Sequence, residues 1–347
     1  MNPDSNASRN RRARLALGAF IVVVLLALAA WLLRDRLREF IDPPAPEVPQ
    51  DWSALVQDIK AYQRRIGFRD TPNFTRLVGP QKSLVFCGVA SQRVLPWSYQ
   101  DPAIRWPAAD TLAQCIEAAG PEADAYFGDA EAVGEIGMQV TPSMLASRLG
   151  RFVYLIIHED CHDQFELPFG VEEGLCDVLA YRGMIAWAAE KFPRFSREYR
   201  AIRRYADQQI ALSLPTVEHY QQVAALYARL DRNEIGLEAL LVERKAIYAS
   251  AMRALDWQLG EMNNVSMANY MTYSRHYPYL DSVHAALGGD PARTLAFFKG
   301  VDKAKPEQLE VVKRRQLADM HGVAFVRAWE TEVLETAARL LASAARP

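Results

Sequence analysis

The chain has 347 residues, 50% hydrophobic and 24% charged, with a net charge of −2. That is ordinary for a globular domain with a large core, and it argues against a nucleic-acid binder, which needs a clustered basic face. No period of 20–50 residues repeats, so solenoids and propellers are set aside as well.

The charge is unevenly spread. Residues 1–40 hold seven Arg against three acids, which leaves the remainder mildly acidic. Arg9, Arg11, Arg12 and Arg14 precede an uncharged run from Leu15 to Leu33, long enough to cross a hydrocarbon core as a helix. The positive-inside rule keeps residues 1–14 cytoplasmic and exports the chain beyond the apolar run. Ala27-Leu28-Ala29 offers a cleavage site for the competing signal-peptide reading. An uncleaved anchor is preferred because the apolar run continues through Trp31-Leu32-Leu33. Residues 34–50 include IDPPAPEVPQ, four prolines in ten residues, and read as a semi-rigid spacer at the inner membrane's outer face.

From residue 51 to 347 the pattern predicts a mainly helical (α+β) domain. Helical spacing of apolar residues covers 51–68, 107–118, 142–165, 172–191, 196–213, 216–230, 233–260 and 305–343. Pro193, Pro215 and Pro291 stand between segments as breakers. Strand signal is best at Ser83–Ser91, with weaker apolar pieces near 125–140. A small sheet ahead of two metal-bearing helices, followed by a helical C-terminal region, is the order of a thermolysin-like zinc-peptidase core. Cys87, Cys115, Cys161 and Cys176, in an oxidising compartment, form two disulfides in any of three pairings or stay buried and unpaired.

Within IIHEDCHDQF lies His158-Glu159-Asp160-Cys161-His162. Two His at i and i+4 share one helix face, so both imidazoles reach a single Zn²⁺. Glu159 is turned about 100° away, beside the metal, where it can take a proton from water. Asp160 is expected to meet a polar neighbour or solvent. Cys161 points away from both His and is read as core or as a disulfide partner of Cys176, ahead of a soft ligand.

A catalytic zinc needs a third protein ligand and an open position. VEEGLCDVLAYRG supplies it ten residues on. Glu173 fits the gluzincin ligand position and Glu172 competes with it. Asp177, one turn later, is placed to accept the free N–H of His158. His219, His284 and His321 have no metal-like partner nearby in sequence.

Three further stretches extend the pattern: ADAYFGDAEAVGEIGMQVTPSML before the signature, ALYARLDRNEIGLEALLVERKAIYASAMRAL after it, and MNNVSMANYMTYSRHYPYLDSVHAALGGDPARTLAFF beyond. With the signature they resemble, in the same order, a family of bacterial membrane-associated predicted aminopeptidases of gluzincin type. The departures are His-Glu-Asp-Cys-His for the usual His-Glu-Leu-Ala-His, Glu-Glu for Asn-Glu, and a shorter gap between them. The resemblance implies zinc on His158, His162 and Glu173, Glu159 as general base and acid, and a peptide or protein as substrate. It also implies an oxyanion donor from a later segment, for which YMTYSRHYPY offers Tyr273 or His276. Aromatic core packing competes for each of these. Two other readings stand beside the exported peptidase: a non-catalytic envelope scaffold with structural zinc, and a helical sensor, disfavoured by so short a cytoplasmic tail.

Overall fold

The computed structural model describes residues 45–79, 84–130, 137–258 and 260–344. The expected tail, anchor and most of the linker lie outside these. The chain divides into two compact units, residues 1–46 and 47–347, and all the helices and strands described belong to the second. Among the described residues no helix is long and apolar enough to cross a membrane.

The domain is mainly helical, as the pattern predicts. Helix α1 (Trp52–Ile66) starts where Ala54 N donates to the Asp51 side chain and ends at Gly67, whose φ of +102° suits only glycine well. It buries Leu55, Val56, Ile59 and Tyr62 on one stripe. Strands β1 (Leu84–Ser91) and β2 (Ala123–Ala130) pair antiparallel, with Cys87 opposite Phe127 and Phe86 opposite Gly128. Between them α2 (Leu112–Ala119), capped by Thr111, is tied to β1 by the Cys87–Cys115 disulfide.

After β2, a short α3 (Pro142–Ala146) leads into α4 (Leu149–His162) and then α5 (Phe169–Lys191). The single run expected at 142–165 therefore breaks at Ser147 and Arg148, both extended. Helix α5 buries residues on all sides, from Val171 and Leu175 to Tyr181 and Trp187, and forms the centre of the main core. The second disulfide, Cys161–Cys176, joins α4 to α5.

Residues 197–231 depart from expectation. Pro215 does not divide them; it sits inside one 35-residue helix, α6 (Arg197–Asp231). A proline removes one helical hydrogen bond and crowds the preceding turn. Here side chains engage the neighbouring carbonyls: Ser213 Oγ donates to Ile210 O (3.0 Å) and Thr216 Oγ1 to Leu212 O (2.8 Å). Both halves are also held by packing, Ile202 and Ala206 in the main core, Val223 and Leu226 in a second one.

That second core is completed by α7 (Leu237–Ala254) and α8 (Asn264–Ser274). Helix α8, with α9 (Tyr277–Ala286) and α10 (Pro291–Ala304), fills a stretch in which the sequence pattern marked out no separate helical run. The reason for α8 is burial on several sides, from Asn264 to Met271, which erases a one-face period. The expected 305–343 helix is two, α11 (Gln308–Arg315) and α12 (Val323–Ala344). Gln316 turns the chain at φ +53°, and Asp319 then accepts from His321 N and Gly322 N.

Candidate metal centre

Helix α4 is apolar for most of its length, with Phe152, Val153, Ile156 and Ile157 fully buried. This packing fixes the polar end of the helix, where His158 and His162 lie one turn apart and buried. Helix α5 brings Glu173 against them. His158 Nε2 lies 3.3 Å from His162 Nε2 and 3.2 Å from Glu173 Oε2, and His162 Nε2 lies 3.6 Å from the same oxygen. A tetrahedral zinc with bonds of about 2.0–2.1 Å requires donors about 3.3–3.4 Å apart. The three side chains therefore fit such an ion, and among the described residues they are the group that meets this condition.

Their outer partners are carboxylates. His158 Nδ1 stands 3.1 Å from Asp177 Oδ1, at an angle off the line of a straight hydrogen bond. Asp177 Oδ1 also accepts from the Tyr154 hydroxyl at 2.8 Å. His162 Nδ1 lies 3.0 Å from Glu172 Oε1, while Glu172 Oε2 accepts from Leu167 N at 3.0 Å. The choice between the two glutamates is thereby made. Glu173 faces the two Nε2 atoms, and Glu172 sits behind His162, where a carboxylate fixes the ring's tautomer and raises its basicity.

The buried charges shift one another. Burial pushes His158 down, but the contacts with the Asp177 and Glu173 carboxylates outweigh it and the net shift is well upward. His162 behaves likewise through Glu172 and Glu173. Burial raises Glu172, whereas in Glu173 the bond from His158 and the histidine charges overcome burial and lower it.

The disulfide Cys161–Cys176 decides the role of Cys161, which is neither a ligand nor a free core thiol. Asp160, 2% exposed, is held by Lys60 Nζ at 2.8 Å and by the Thr71 hydroxyl, tying α1 and the following loop to the metal helix. Its polar neighbour is thus a half-buried lysine. The odd pair between the two histidines is structural on both counts.

A cavity of about 590 Å³ opens beside the donors. His158, Glu159 and Asp177 line its metal end, and Phe86, Tyr126 and Gly128 of the sheet form a wall. Glu159 is buried but near enough for its charge to raise both His162 and Tyr273. The Tyr273 ring, from α8, lies 6.4 Å from that of His158. The Glu173 charge first, then burial, pushes the Tyr273 hydroxyl well up, so it remains a proton-bearing donor at ordinary pH.

His276 does not join them. It caps α9 with its Nε2 3.0 Å from Glu330 Oε2, an oxygen that also accepts from Trp97 Nε1 at 2.9 Å. That buried pairing points the imidazole toward α12 and corrects the expectation that it serves the metal end. The other histidines are equally committed: His219 to Pro215 O and Ser250, His284 to Thr294, while His321 is exposed. The sequence reading missed Tyr154, although its place one turn before His158 was a usable signal. It also missed the sheet wall, for which no linear signal exists.

No protein-family model matches the chain, and no curated protein or solved structure matches it either.

Proposed function

We propose that this chain is a zinc-dependent peptide hydrolase of gluzincin type, with a thermolysin-like core, held at the outer face of the cytoplasmic membrane by residues 15–33. The observation that carries the reading is the donor triangle of His158, His162 and Glu173, which meets a cavity at His158, with Glu159 lining that cavity beside it. A closed four-ligand site would instead favour a structural zinc and a scaffold role.

Zinc bound there supplies Lewis acidity, making water acidic and a carbonyl electrophilic. The protein's own groups do the rest. Glu159 accepts the proton of the attacking water and returns it to the departing amine. Tyr273 donates a hydrogen bond to the oxygen on which negative charge develops. Asp177 and Glu172 hold each imidazole with Nε2 toward the ion. The aminopeptidase character rests on the family resemblance alone.

The test is Glu159→Gln in the full chain purified in detergent. Zinc content should stay near wild type while hydrolysis of a peptide library falls by roughly 10²–10⁴-fold. Chelation should silence the wild type and added zinc should restore it. A variant as active as wild type would remove Glu159 from the mechanism, and an inactive but zinc-replete wild type would favour the scaffold.

A further inference from the structure

Resting on the peptidase reading, we propose that Arg151 receives a substrate carboxylate about three residues from the bond being cut, which makes the substrate class an anionic peptide. Among the described residues lining the cavity, Arg151 carries the one guanidinium, and it is half-buried. The acids Glu159 and Asp177 line the opposite, metal end. The guanidinium and the metal donors therefore lie at different places along the cavity.

Helix geometry sets the spacing. Arg151, Tyr154 and His158 succeed one another at i, i+3 and i+7, a single face of α4. Seven residues rise about 10.5 Å, and an extended peptide advances about 3.3 Å per residue, so the two ends of the face are some three peptide residues apart. The side chain of Arg151 leans toward the N-terminus of α4, away from the donors. A guanidinium matches a carboxylate as a planar fork, and its five N–H groups allow a contact within the protein and one with a ligand together.

The cavity itself is built for a bound molecule of this size. Its volume of about 590 Å³ falls within the range of small-ligand sites. The Tyr277 hydroxyl, buried and without a hydrogen-bond partner, belongs to a residue that lines it. Orientation comes from the guanidinium: a carboxylate held beside Arg151 leaves the rest of an extended peptide running toward the donors.

Two sources supply such a group, the C-terminus of a short peptide or an acidic side chain in a longer one. Calorimetry on the zinc-loaded full chain carrying Glu159→Gln separates them, with tetrapeptides bearing a free or an amidated C-terminus, and amidated peptides bearing Glu or Gln at each position. The free acid should bind on the order of tenfold tighter than the amide, the worth of one charge-assisted contact. Adding Arg151→Gln should erase that preference without changing affinity for the uncharged amide, and Arg151→Lys should restore part of it. If the Glu-bearing amides alone show the preference, the side chain is the source. Equal binding of acid and amide peptides throughout, or an equal loss on both with Arg151→Gln at unchanged zinc content, overturns the proposal. An acid preference that depends on Arg151, with no turnover by wild type, would sink the hydrolase reading and leave the anion site standing.

Discussion

Cys161–Cys176 joins the two helices that carry the metal donors, whereas Cys87–Cys115 joins β1 to α2, in a small cluster beside the sheet. Their sequence separations are 15 and 28 residues. In a chain-entropy account the longer loop stabilises more, about 3.5 against about 3 kcal/mol. Yet the shorter bridge lies between Glu159 and His162 on one side and next to Glu173 and Asp177 on the other. A cross-link's contribution to stability scales with loop length, but its contribution to function depends on what its two ends carry. The metal-bearing pair of helices is over-determined by a disulfide, two carboxylate–histidine contacts and the Lys60–Asp160 pair. The sheet, which holds one wall of the cavity, is tied down by its own disulfide and by the buried Arg244–Asp124 pair, and neither carries a metal donor.

The sharpest test of that contrast is between adjacent glutamates. Glu173→Ala should abolish stoichiometric zinc binding, measured by metal analysis after dialysis. Glu172→Ala should keep the metal but weaken its affinity by roughly 10–100-fold, the usual effect of losing a partner behind a ligand. Zinc lost with Glu172→Ala and retained with Glu173→Ala would reverse the two roles.

Removing the bridges one at a time comes next. Cys161→Ala with Cys176→Ala should lower both melting temperature and zinc affinity. Cys87→Ala with Cys115→Ala should cost about 2–4 kcal/mol of stability in denaturant titration while leaving zinc affinity intact. Equal affinity losses in the two double variants would break the comparison.

Asp160→Asn leaves Lys60 without its charged partner beside a buried amide. Losing a charge-assisted hydrogen bond of this kind costs about 1.5–3 kcal/mol. The loss should appear in the unfolding midpoint with zinc present, and an unchanged midpoint would show that the pair contributes nothing.

The smallest expected effect lies in the sheet. A Cβ on Gly128 would stand 2.8 Å from Phe86 Cζ, so Gly128→Ala must displace that ring at the cavity wall. The cost in stability should be about 1–3 kcal/mol, as for other overpacked sites, or less if the ring swings aside. The substrate KM should change while zinc affinity does not.

The sequence alone determined the local features. Spacing of four put His158 and His162 on one helix face, and the next turn-length spacing paired Glu173 with Asp177, because helical periodicity is a local property of the chain. It also predicted the predominance of helix and the strand at Ser83–Ser91, apart from Ser83 itself, which lies outside the described residues. Tertiary structure decided the rest. Which glutamate faces the donors depends on how α5 rolls against α4, and which cysteines meet depends on helices brought together by the core. His276 and Tyr273 are three residues apart in one aromatic-rich stretch, and only Glu330, from a distant helix, separates their fates. Pro215 stays inside α6 because two cores grip the helix on either side, a long-range energy that a local breaker rule does not contain.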